Sequence, residues 1–129
     1  MSKEKYTKVT LASLVAKAEQ RLADKKKSKT AEIYVKSLNG VITVKEPSAE
    51  LMSDVVKMED TGNAYLLYQC CVEPNLKDSE LQEAYACTVP TDIVDILFLP
   101  GEVASLSLEI AKLAGYGDGN VTPVDTVKN

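Results

Sequence analysis

The sequence predicts an α+β domain that is mostly helical, with one β-hairpin over about residues 32–46 packed with about six helices. Three observations predict it. Asn39-Gly40 lies between two segments that alternate apolar and polar residues. Elsewhere apolar residues recur three and four positions apart, the helical period. A lone hairpin is marginal in water, so helices must cover at least one of its faces.

Taken in order, Leu11, Leu14, Val15, Ala18 and Leu22 form one stripe and predict a helix from about Thr10 to Ala23. Asp24 to Thr30 is a lysine-rich connector, read as a solvated linker because no aromatic residue is interleaved with its charges. In the hairpin, a two-residue type I′ turn at Asn39-Gly40 would set Leu38 opposite Val41 and Val35 opposite Val44. One face then collects Ile33, Val35, Ile42 and Val44. The other carries Tyr34, Lys36, Leu38, Val41, Thr43 and Lys45.

After Pro47, Ser48 is placed to cap a helix holding Leu51, Met52, Val55 and Val56, which Thr61-Gly62-Asn63 ends. A helix from Ala64 puts Leu67, Tyr68 and Cys71 on one side and stops at Glu73-Pro74-Asn75, since proline disfavours helix in the residue before it. Asp78 or Ser79 caps a short helix through Tyr85, with Gln82 spaced for a capping box on Ser79. Asp92 to Leu97 is another short helix. Pro100-Gly101 breaks the chain before a last helix, Glu102 to Ala114, with Val103, Leu106, Ile110 and Leu113 on one stripe and Gly115 as its stop. Residues 117–129 show no periodicity and are expected to be disordered. The expected organisation is a basic arm (1–30), an α+β core (31–116) and a tail (117–129).

The composition excludes several chemistries. There is no histidine, which removes serine–histidine and cysteine–histidine catalysis and any histidine-containing zinc site. Of three cysteines, Cys70 and Cys71 are adjacent and poorly placed to share a metal, so all three are read as reduced, buried thiols. No phosphate-binding or dinucleotide-binding glycine pattern occurs. No apolar run reaches the ~20 residues of a membrane span. Met1 to Tyr6 lacks the apolar core of a secretory signal, so a cytoplasmic protein is expected.

The formal charge of −4 is unevenly spread. Through Thr30 there are nine basic and three acidic residues, and the remainder has six and sixteen. Asp92 with Asp95, and Glu80 with Glu83, share helix faces, but nothing else of an active site accompanies them. They are read as solvated helix starts, favourable to the helix dipole. No catalytic residue, metal or cofactor is predicted.

Two segments carry a family resemblance. Val72-Glu73-Pro74-Asn75-Leu76-Lys77-Asp78-Ser79-Glu80-Leu81-Gln82-Glu83-Ala84-Tyr85 is one, and Ile96-Leu97-Phe98-Leu99-Pro100-Gly101-Glu102 is the other. Together they resemble the XkdN-like tail assembly chaperones of tailed bacteriophages and of defective prophages in Gram-positive bacteria. The resemblance covers residues 31–116 and is strongest over 72–115. It departs at Ala86, where the family pattern implies glycine, and finds no counterpart for the lysine-rich N-terminal helix. The motif residues Glu73, Pro74, Asn75, Leu76, Leu81, Tyr85, Leu99, Pro100, Gly101 and Glu102 read as structural rather than catalytic.

The resemblance implies a non-enzymatic chaperone that escorts the tape-measure protein, helps recruit tail-tube subunits and is absent from the finished virion. Such an escort needs an apolar surface for helix faces. The candidates are Tyr34, Leu38 and Val41 on the second hairpin face and Leu108, which lies off the stripe of the last helix. Competing readings are a small structural tail component, with stable oligomers in the particle, and a nucleic-acid binder using residues 3–29. Tail chaperones of this kind are often made in two lengths by ribosomal slippage. Val127-Lys128-Asn129 is compatible with an adenine-rich slippery run.

Overall fold

A computed structural model describes residues 6–124. The chain divides into two compact units, Lys29–Gly117 and a second comprising Met1–Ser28 with Asp118–Asn129.

In the smaller unit the expected single helix comes as two, α1 (Leu11–Ala16) and α2 (Ala18–Lys25). The break is at Lys17, whose φ −99° and ψ 5° leave the helical basin. Thr10 and Ser13 start α1 with reciprocal bonds: each backbone N–H donates to the other's hydroxyl at 3.1 Å. Leu11, Leu14, Val15 and Leu22 are all exposed. Residues 118–124 contain no helix or strand. The slippage expectation at Val127–Asn129 falls outside the described residues.

The larger unit is α+β and mostly helical, with a three-stranded antiparallel sheet ordered β1 (Thr30–Val35), β2 (Gly40–Lys45), β3 (Cys71–Glu73). Its helices are α3 (Ala49–Lys57), α4 (Gly62–Cys70), α5 (Ser79–Ala84), α6 (Asp92–Leu97) and α7 (Pro100–Leu113).

The hairpin turn corrects the sequence expectation. No two-residue turn forms at Asn39-Gly40. A four-residue loop, Lys36 to Asn39, connects strands in which Val35 pairs with Gly40, Tyr34 with Val41 and Ile33 with Ile42. Lys36–Leu38 make a 3-10 turn closed by Asn39 N–H donating to Lys36 O at 3.0 Å, and Asn39 alone adopts the left-handed conformation at φ 48°. A helical turn followed by a left-handed residue closes a hairpin as well as a type I′ pair does, and asparagine tolerates that conformation. The pairing is displaced by four positions from the expected one. Four is even, so the side-chain faces survive: Val35, Ile42 and Val44 are buried and Tyr34 and Val41 exposed.

The third strand was not legible. Cys71–Glu73 is three residues long, too short to show a period, and continues the apolar run of α4. The helix ends at Cys70, and the next residues pair with Val44 and Thr43 across an irregular register.

Helix α4 is the hub, packing on α3, α6, α7 and β2. Leu66, Leu67 and Cys70 join Val44, Leu76, Ile93, Val94, Phe98, Leu106 and Ile110 in one core. Leu67, Leu76, Ile93 and Ile110 are fully buried, and truncation of any of them to alanine should cost about 2–5 kcal/mol. Gly62 opens α4 for a steric reason: a Cβ there would lie 2.6 Å from the Val55 carbonyl oxygen of α3. Ser107, buried on α7, donates from its hydroxyl to the Asn63 carbonyl at 3.1 Å and so satisfies itself on α4.

Helix boundaries follow local chemistry. Ser48 Oγ accepts from Leu51 N–H at 3.0 Å and starts α3. Asp78, not Ser79, caps α5, accepting from Leu81 N–H at 3.1 Å. Gln82 makes no capping box on Ser79. Its amide donates to the carbonyls of Leu76 (2.8 Å) and Pro90 (2.9 Å), which fastens the loops on both sides of α5. Helix α7 ends as expected: Tyr116 N–H reaches Ala111 O and Gly115 N–H reaches Lys112 O, with Gly115 at φ 90°. The same pair of bonds closes α5, from Cys87 to Gln82 and from Ala86 to Glu83. There the left-handed residue is Ala86, at φ 52°, the position at which the resemblance implies glycine.

Candidate partner-binding surface

The hairpin has two unlike faces because the strand period is two. Its inner face meets α7 and α4. On its outer face Tyr34 and Val41 stand directly opposite one another, each 59% exposed. Leu38, in the connecting turn, is 39% exposed. The Tyr34 hydroxyl donates to Asn39 Oδ1 at 3.1 Å, which ties the ring to the turn.

The turn is held from below by Glu102. Its carboxylate accepts from Ser37 Oγ at 2.7 Å, from Ser37 N–H at 3.3 Å and from Leu99 N–H at 2.9 Å. Pro100 is the first residue of α7, where its missing N–H costs nothing, and Glu102 is the third, placed to reach back. Leu99 has no side-chain acceptor, so only half of a capping box forms. The donors hold the Glu102 carboxyl below its ordinary range, the Leu99 amide first and the Ser37 hydroxyl next. The Leu-Pro-Gly-Glu segment thus joins two elements rather than breaking the chain. Proline at the first helical position with glutamate two residues on could have signalled the cap. Its reach to Ser37 is tertiary.

Leu108 is 64% exposed, but it is not brought together with the hairpin residues. Helix α7 lies on the inner side of the sheet through Val103, Leu106 and Ile110, and Leu108 is on the side of α7 away from that core. Between β1 and α7 a groove of about 480 Å³ opens, lined by Ile33, Tyr34, Val35, Leu99, Glu102 and Leu106 among others. Leu99, one of the motif residues, is 59% exposed at its edge.

The other motif residues are structural elements of the core unit. Glu73 ends β3 and its peptide bond to Pro74 is cis. Asn75 accepts from Lys77 N–H through its side chain and from Asp78 N–H through its carbonyl, both at 3.1 Å. Leu76 is fully buried and Leu81 partly so, while Tyr85 is 45% exposed at the end of α5. Gly101 sits in open space, so no contact demands glycine there.

Cys70 and Cys71 are buried, and burial pushes both thiols up to about 11, with Glu73 adding to the effect at Cys71. Thiols so held are not nucleophiles near neutrality. Asp92 accepts from Val89 N–H at 3.1 Å and closes the turn before α6, while Asp95, Glu80 and Glu83 are exposed. Among the described residues no group of three or more histidine, cysteine or acidic side chains could hold a metal ion, and no helix is long and apolar enough to cross a membrane.

No curated protein and no solved structure matches the chain. One family does, and its match extends beyond the segments that resembled it, taking in the N-terminal helices for which no counterpart was placed. The description of that family, phage XkdN-like tail assembly chaperone protein, fits residues 8–128, and the chain belongs to it.

Proposed function

We propose that this tail assembly chaperone is a non-enzymatic escort of the tape-measure protein, and that it holds it on the outer face of the β1–β2 hairpin. The observation that carries the proposal is the Tyr34–Val41 pair, two large apolar side chains side by side on a face left open to solvent. With Leu38 they form a short apolar strip suited to one side of an amphipathic helix. Leu108 stands apart on α7 and is not part of this strip. The escort works in the host cytoplasm, passes its client to tail-tube subunits and leaves the finished tail. A longer product made by slippage near Val127–Asn129 would carry the tail-tube contact, and mass spectrometry of the natively expressed protein would reveal it.

The test is co-expression. The tape-measure protein alone should be insoluble or degraded and should become soluble with this chain. Replacing Tyr34, Leu38 and Val41 by charged residues should abolish the rescue while leaving the circular dichroism unchanged. Normal rescue by folded variants would move the site elsewhere. Recovery of the chain in purified virions would favour a structural tail component instead.

A further inference from the structure

Strand β1 lies at the edge of the sheet, and among the described residues only β2 pairs with it. Alternate residues of such a strand turn their N–H and C=O away from the neighbour they already have. Exposed edges are commonly blunted by charged side chains, above all lysine, by proline or by a bulge. The run Thr30-Ala31-Glu32-Ile33-Tyr34-Val35 has a single charge, Glu32, and no lysine, proline or bulge, and its pairing with β2 is regular throughout. Beside it, between β1 and α7, a groove opens in which Leu99 is 59% exposed and Ile33 is partly buried.

We infer that β1 is a dimerisation edge, pairing antiparallel with β1 of a second copy about a two-fold axis through Tyr34. Bonded and non-bonded residue pairs alternate along an antiparallel ladder, so neighbouring pairs cannot be symmetry mates. A two-fold axis perpendicular to the sheet must therefore set one residue opposite its own copy. Glu32 on the axis would oppose two carboxylates. Ile33 on the axis would set Glu32 against Tyr34 and Lys36 against Thr30. Tyr34 on the axis sets Glu32 against Lys36 of the other copy, twice, around a tyrosine pair. Only this register uses both charges.

Both charges are available for it. Glu32 and Lys36 are exposed, and among the described residues neither makes an ion pair. Val35 is extended, at φ −115° and ψ 113°, so Lys36 stays on the line of the strand. Four positions along a strand is roughly 13 Å, too far for the two to pair within one copy. The same register sets the partly buried Ile33 opposite Val35, so the inner faces of the two sheets run on continuously. The self-complementary charges make a second copy the occupant.

Sedimentation across about a hundredfold range of concentration should show a reversible monomer–dimer equilibrium. Glu32→Lys and Lys36→Glu should each weaken the dimer about tenfold, since each creates two like-charge pairs. The double variant should recover it. In addition, Tyr34→Cys should form a covalent dimer on mild oxidation and Glu32→Cys should not. A monomer at every concentration, a dimer indifferent to the single reversals, a double variant that fails to recover, or cross-linking at position 32 instead of 34 would each overturn the inference. Thermal melts of the variants establish that they are folded. These readouts need no tape-measure protein, so they stand or fall apart from the escort proposal.

Discussion

The hydroxyl of Ser37 donates to Glu102 Oε1 at 2.7 Å, across 65 positions of chain. This bond fixes the tip of the hairpin to the start of α7, and with it the face that carries Tyr34 and Leu38. Glu102 therefore serves as helix cap and as turn anchor at once.

That dual role makes stability depend on acid in a defined direction. A carboxyl held low in the folded state binds fewer protons there than in the unfolded chain. Its contribution is complete above the unfolded value and is lost as pH falls from the ordinary 4.5 toward the lower folded value. Denaturant melts between neutral and acid pH should show this loss in the native protein and a flatter acid limb in Glu102→Gln. Ser37→Ala should be less stable than the native protein at neutral pH.

Ala86 occupies a conformation that an L-residue enters at about 1–2 kcal/mol. Glycine enters it freely but brings more entropy to the unfolded chain. The balance favours Ala86→Gly by about 0.5–1 kcal/mol, read as a higher melting temperature. A destabilised variant would mean that the alanine methyl makes a contact worth more than the strain.

Gly62 gives the opposite case. Alanine is the better helix former, yet its methyl would strike the Val55 carbonyl, a backbone atom that cannot swing aside. Gly62→Ala should cost about 1–3 kcal/mol in denaturant melts, through displacement of α3 from α4.

Thiol labelling should separate the cysteines. Cys70 and Cys71 are shielded and held as thiols, while Cys87 is partly open. One equivalent, at Cys87, should react with an aromatic disulfide in the native protein, and the other two only on unfolding. Rapid reaction of all three would contradict the packing of β3 against the core.

Much of this was legible from local pattern. Ser48, Asp78 and Gly115 announce helix ends because each acts on backbone within a few residues. The two faces of the hairpin were readable even though the turn was not. Face depends only on odd and even, and the register moved by an even number. The turn itself was ambiguous because Asn39-Gly40 suits more than one loop. Asn39 alone takes positive φ, and Gly40 goes into the strand. Strand β3, the reach of Glu102 to Ser37 and the close approach at Gly62 depend on distant partners and leave no periodic trace. The candidate surface was half legible. Sequence alternation put Tyr34 and Val41 together, but whether a helix covers them is a tertiary matter, and so was the separation of Leu108.

On the proposed reading, the outer hairpin face holds the tape-measure protein. The most direct measurement is site-specific photocross-linking, with a photoreactive amino acid placed at Tyr34, at Val41 or at Leu108 and the tape-measure protein co-expressed. Adducts containing the tape-measure protein should form from positions 34 and 41 and not from 108. Adducts from 108 alone, or from none of the three when the client is soluble and co-purifies, would place the client off the hairpin face.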